Sequence, residues 1–309
     1  MESGTEMFPH SPAERAILAR NRLPELKKRT AVCRLCPREC EAKRYAGEYG
    51  KCGLGGDLKV TSAHLHPGEE PAISGVRGSG TVFFSGCNLA CLFCQNYDIS
   101  HEQHGSETTP GVLGERMIAL QELGAHNINL VTPTPQITGI VEALAYAWDH
   151  GLSIPIVYNC GGYESVETLR LLDGLIDVYM PDLKYGRDEL GVVSGVKDYT
   201  SRATEALREM RRQVGPLQVD KKGIAVRGLI VRHLVLPNGR SDTIGVLLWL
   251  AREIGRDVSL SLMSQYHPMY RSNEVEGLDR RVSTEEYQNV LDLLEELRLE
   301  NGWVQSKPE

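Results

Sequence analysis

From residue 80 onward, apolar runs of strand length alternate with helix-length amphipathic stretches. The runs cover 81–85, 127–131, 154–158, 176–180, 229–236 and 258–263. Helical periodicity fills the gaps near 111–123, 136–150, 164–174, 198–213 and 241–255. The runs are continuous rather than alternating, as expected for strands buried on both faces of a parallel sheet. Six strand–helix repeats predict an α/β barrel or partial barrel, or an open doubly wound sheet. A last amphipathic helix is expected over 283–300, with Ser283 or Thr284 and Glu286 near its start.

Ahead of residue 80 the pattern is different. Residues 1–30 read as a frayed terminus followed by a helix that Ser11 caps and Pro12 opens. That helix ends in Lys27-Lys28-Arg29, read as a solvated face. Residues 31–78 are rich in Cys, Gly and Pro and poor in long apolar runs, so metal is expected to replace a core there. The chain therefore divides into an N-terminal helix with a metal-binding module (1–78) and a barrel with a C-terminal helix (79–309).

Composition narrows the function. The 309 residues carry 34 Lys+Arg against 41 Asp+Glu, a net charge of −7, which argues against a nucleic-acid partner. No run of about 18 apolar residues is present, which argues against a membrane span. The first twenty residues have no apolar signal core, so a reducing, cytoplasmic setting is expected. The eight cysteines are then metal ligands or redox groups rather than a disulfide framework.

Seven of the eight lie in two clusters. Cys33, Cys36, Cys40 and Cys52 offer four thiolates, enough to close a zinc site or hold a second iron–sulfur cluster. Cys87, Cys91 and Cys94 directly follow the first predicted strand. Three thiolates can hold three corners of a 4Fe-4S cubane and leave one iron open. Zinc is the local alternative there, with His101 or His104 as fourth ligand. Cys160 stands alone.

The segment Gly86-Cys87-Asn88-Leu89-Ala90-Cys91-Leu92-Phe93-Cys94-Gln95-Asn96 resembles the signature of radical S-adenosylmethionine (SAM) enzymes. It is most similar to the pyruvate formate-lyase activating enzyme-like group, and the resemblance spans roughly residues 33–305. It implies a partial (β/α)6 barrel. It also implies that SAM chelates the open iron through its methionyl amine and carboxylate. A reduced cluster then breaks the S–C5′ bond to give methionine and a 5′-deoxyadenosyl radical that abstracts hydrogen. A low-potential donor of flavodoxin or ferredoxin type and a protein substrate complete the expected partners.

Further residues are placed by the ends of the runs, where ligands sit in such folds. Phe93 would cover the adenine. Many family members carry Gly-Gly-Glu at the second strand end; this chain has Thr132-Pro133-Thr134-Pro135, leaving Thr132 and Thr134 as candidates for the amine. Gly161-Gly162 looks like the missing motif but follows the third strand. By resemblance, Asp182 and Lys184 reach the methionyl end of SAM, and a monovalent cation sits near Asn159, Met180 and Asp182. Arg232 is the candidate for the SAM carboxylate or ribose, and His267 for the ribose.

The long charged connection 186–226, with Arg208, Arg211, Arg212, Lys221 and Lys222, is expected to border the substrate entrance or a partner surface. The expected activity is hydrogen abstraction from a glycine of a partner protein. The alternatives are radical modification of another peptide residue or small molecule, or a zinc-stabilised binding protein without catalysis.

Overall fold

The computed structural model describes residues 10–307. The expected frayed terminus over 1–9 lies outside these. A long helix, α1 (Pro12–Ala31), starts on a capping box: Ser11 accepts from the Glu14 N–H while the Glu14 carboxylate takes the Ser11 N–H.

The strands follow in chain order as β1 (Leu58–His66), β2 (Ser79–Phe84), β3 (Ser106–Thr108), β4 (Ile128–Val131), β5 (Ile156–Cys160), β6 (Val178–Pro181), β7 (Gln218–Val219), β8 (Ala225–Leu234), β9 (Ser259–Met263) and β10 (Gly302–Val304). The main path across the sheet is β10-β9-β8-β6-β5-β4-β2-β1-β3. Its centre, from β2 through β4, β5, β6 and β8 to β9, is parallel throughout. These six strands are the six apolar runs, and they lie in sequence order. A doubly wound sheet would reverse its order at a switch point. None occurs here, so the architecture is the partial barrel.

Three strands extend the sheet path where no run marked them, β1 and β3 at one end and β10 at the other. β1 runs antiparallel along β2, and β10 runs parallel to β9. β1 lies on the N-terminal side of the 78/79 division yet shares the sheet, and one continuous hydrophobic core reaches from Ala16 to Leu299. Helix α1 packs against a buried helix covering Ile137–Asp149. Arg15 is buried there and bonds the Asp177 carboxylate at 2.8 Å, at the start of the turn into β6.

Register aligns one row of residues around the sheet. Phe83 pairs with Val131, Val131 with Asn159, and Asn159 with Met180. On the far side Arg232 pairs with Ser261, and Ser261 with Trp303. Asp182 and Arg232 form an isolated parallel bridge between the two halves. That row is the floor of the site.

Candidate functional site

Above the floor lies a cavity of about 630 Å³ at the carboxyl ends of the strands. The loop after β2 supplies one edge, with Cys91, Phe93 and Cys94 on the wall. Neighbours fix this loop through its backbone. Ala90 and Leu92 donate N–H bonds to the carbonyls of Ser194 and Val193, both at 2.9 Å, and Arg271 N–H bonds the Leu92 carbonyl at 2.9 Å. Each thiol also has a polar contact. Cys91 Sγ lies 2.9 Å from Ser194 Oγ, Cys94 Sγ lies 3.1 Å from Ser100 Oγ, and the Leu89 N–H points to Cys87 Sγ at 3.4 Å. Burial pushes the Cys87 and Cys91 thiols up, and the Lys184 ammonium works in the opposite sense.

Another part of the wall is a charge network. Asp182 Oδ2 accepts from Lys184 Nζ at 2.6 Å, and Asp182 Oδ1 from Arg232 Nε at 2.9 Å. Arg232 also donates to Asn159 Oδ1 at 2.7 Å and faces Glu69 Oε2 at 3.6 Å. Burial acts against the charge on Asp182, but the cations of Arg232 and Lys184 outweigh it and hold the carboxyl below its ordinary value. Burial acts against Lys184 as well, and Asp182 raises it above its ordinary value. Asp182, Lys184 and Arg232 stay paired and charged while lining the cavity, ready to bind a zwitterionic group. A close backbone approach supports this corner. Gly162 sits at φ +80°, and a Cβ there would run into the Asp182 carbonyl oxygen.

The structure brings Cys91, Cys94, Phe93, Asn159, Asp182, Lys184 and Arg232 onto one cavity. Phe93 is buried and packs edge-to-face on Tyr266 at 6.0 Å. Strand alternation separates Arg232 from His233. His233 is wholly buried between the Leu183 carbonyl and Thr243 Oγ1, and burial lowers its pKa to about 4.

The other candidates are placed away from the cavity lining. Thr134 opens a 3-10 turn (Thr134–Gln136) that turns its side chain away, so its hydroxyl donates to Glu164 at 2.7 Å and is 1% exposed. Thr132 has left-handed backbone (φ +59°), donates its N–H to the Asn159 carbonyl, and is not part of the cavity wall. His267 lies at the rim, with Nδ1 3.4 Å from the Gln95 amide, and does not line the cavity. His101 faces the Cys91 carbonyl at 3.1 Å and stacks on Tyr270, while His104 pairs with Glu102. Neither histidine is turned to the thiol trio. Among the described residues, no three Cys, His, Asp or Glu side chains stand close enough to hold one metal ion as they are placed.

The basic insert is ordered in two parts. It contains a helix, Tyr199–Val214, whose arginines are paired: Arg208 with Glu253, Arg211 with Asp257, and Arg212 with Glu209 and Asp173. Arg208 and Arg211 pair with neighbouring elements, Arg212 pairs both within its helix and with Asp173, and Lys221 and Lys222 are exposed. The part of the insert that reaches the site is the turn Asp188–Ser194 beneath the thiol loop.

Sequence reasoning missed the wall made by Glu69, Glu70, Trp303 and Gln305. Glu69 is held by Asn129 at 3.0 Å and by Arg232, and burial raises its pKa. Its one signal was a pair of acidic residues entering a Pro turn.

The thiol loop suits a cluster rather than a single ion. A cubane spreads its three protein thiolates around a core, so it does not need them to meet at a point, and it leaves one iron free. The donor set of three cysteines on a braced loop, open to a polar cavity, fits that group.

Comparison with known proteins agrees in kind. A family model described as the radical SAM superfamily matches residues 81–218. Uncharacterized protein MJ0674 of Methanocaldococcus jannaschii is 30% identical over 278 residues, 87% of this chain and 75% of that one. Uncharacterized protein MJ0808 of the same organism is 28% identical over 264 residues, 79% of this chain and 72% of that one. A solved structure described as native anSMEcpe with bound AdoMet has a TM-score of 0.49 and 13% identity; the match covers 76% of this chain and 62% of that one, less than two thirds of its length. Residues 81–218 are thus a radical SAM superfamily domain, and the chain as a whole is a relative of the uncharacterized protein MJ0674.

Proposed function

We propose that this chain cleaves SAM reductively at a 4Fe-4S cluster held by Cys87, Cys91 and Cys94, and uses the radical to abstract hydrogen from a protein partner, as a glycyl-radical activase does. The observation that carries the reading is the placement of two of the thiols and the Asp182–Lys184–Arg232 network on the lining of one cavity.

When bound, the cluster supplies the electron that splits the sulfonium S–C5′ bond of SAM. The chain's own residues do the positioning. Lys184 and Arg232 offer donors to a carboxylate, and Asp182 keeps both cations charged. Asn159 fixes the guanidinium plane of Arg232. Phe93 and Phe83 give the cavity apolar wall against which an adenine can pack and from which water is displaced. Ser194 and Ser100 stand ready to donate to thiolates at Cys91 and Cys94.

Anaerobic reconstitution, EPR of the reduced protein and assay of 5′-deoxyadenosine test the chemistry. A full cluster with no SAM cleavage under strong reduction overturns it. A glycine-centred EPR doublet in a co-expressed partner supports the activase role; SAM cleavage coupled only to another residue or a small molecule replaces that role with a different modification.

A further inference from the structure

The four early cysteines line a separate cavity of about 10 Å³, beside Arg38, Arg44 and Lys51. That is about the space of one water-sized sphere. It has room for a single ion.

Cys33, Cys36 and Cys40 share one tight knuckle of backbone, with the Glu39 N–H on the Cys36 carbonyl at 3.1 Å. Ladder bonds hold this knuckle: Cys33 N–H to the Ala42 carbonyl and Glu41 N–H to the Cys33 carbonyl, both at 3.0 Å. A second tight turn carries Cys52, with the Gly50 N–H on the Leu54 carbonyl at 3.0 Å. Gly50 lies flush between the sulfurs. A Cβ there would come within 3.3 Å of Cys52 Sγ and 3.4 Å of Cys40 Sγ.

An independent observation comes from Arg44. It is 3% exposed, and its donors go to the carbonyls of Gly55 and Pro135 and to Cys33 Sγ at 4.0 Å. Among the described residues, none of its partners is a carboxylate. A buried guanidinium without an anion is costly. Four thiolates on a divalent ion carry a net charge of −2, which supplies that anion.

We propose that Cys33, Cys36, Cys40 and Cys52 bind one structural zinc ion, with Arg44 as its buried counter-charge. Binding draws the four sulfurs inward from the cavity wall and releases their protons to solvent. No electron moves. The module also touches the thiol loop after β2. Arg38 Nε donates to the Asn88 carbonyl at 2.5 Å, and Arg38 Nη2 to the Gly195 carbonyl at 3.1 Å. The ion therefore braces that loop without taking part in its chemistry.

The test uses the full chain carrying Cys87→Ala, Cys91→Ala and Cys94→Ala, purified without oxygen, with metal and sulfide measured. About one zinc per chain and no iron or sulfide is expected, because a zinc site with four cysteine ligands is closed. Adding Cys40→Ala and Cys52→Ala is expected to abolish the zinc. Cobalt(II) titration of the metal-stripped chain should give the visible bands of a tetrahedral thiolate complex. Iron with sulfide in the trio-deficient chain overturns the proposal, as does a folded trio-deficient chain with neither zinc nor a cobalt signal. If that variant does not fold, zinc is measured on the intact chain. Zinc near one per chain, unchanged as cluster iron is loaded or stripped, supports the proposal, and zinc absent overturns it.

Discussion

Asp182 meets Arg232 twice, through a backbone bridge between β6 and β8 and through a side-chain bond of 2.9 Å. Its other oxygen holds Lys184. One carboxylate therefore fixes both cations of the proposed SAM site. Asp182→Ala leaves two half-buried cations facing each other, at a cost of about 3 kcal/mol or more. Denaturant unfolding should show that loss. Lys184→Met keeps the Asp182–Arg232 pair, so the fold should survive while the Kd for SAM rises about tenfold or more. Equilibrium dialysis against labelled SAM measures it.

Thr134 gives the opposite pattern. Its hydroxyl serves Glu164 and Tyr158, not the cavity. Thr134→Ala should cost about 1–3 kcal/mol of stability by leaving buried polar groups unpaired. SAM affinity should not change, and Thr134→Ser should restore the stability.

Glu164 is fully buried, and burial raises its pKa to about 7 from 4.5, against hydrogen bonds from Thr134 and Tyr158 that favour the charge. The unfolded chain thus loses this proton at lower pH than the folded chain. Stability from this group is present below about pH 4.5 and is lost as pH rises toward 7, at about 1.4 kcal/mol per pH unit. Glu164→Gln should flatten the fall of Tm between about pH 5 and 7 relative to the unaltered chain.

Ser194 touches Cys91 Sγ and also Tyr185 Oη, the latter at 2.6 Å. With a thiolate at Cys91 it can donate, which favours the more negative, reduced cluster. Ser194→Ala should lower the midpoint potential of the reconstituted cluster in an EPR-monitored titration and leave its iron content unchanged.

Much of this site was legible because parallel strands buried on both faces leave unbroken apolar runs, and ligand residues cluster where the runs stop. Asp182 and Lys184 were found that way, and Cys91 through the close spacing of Cys87, Cys91 and Cys94. Arg232 stood out as a charge inside an apolar run. Thr134 misled because position after a strand end does not fix side-chain direction once a 3-10 turn intervenes. β1 was missed because only Leu58 and Val60 are buried in its nine residues, and the rest of its face is half-covered. β10 was missed because three residues carry too little periodicity. Glu69 and Trp303 owe their place in the site to those two strands and to long-range pairing that no local pattern encodes.

The sheet starts at β10 and stops at β3 without returning to itself. Both flanks near the break, the 66–70 turn and the Trp303–Gln305 segment, line the cavity. A closed barrel takes only what can be lowered down its axis. A barrel with a missing stave can be loaded from the side, so a polypeptide loop can be laid across it with both ends remaining outside. The last strand, three residues long, carries Trp303 on one of those flanks. Trimming or extending the chain near Trp303 should change which partners fit before it changes how SAM is held.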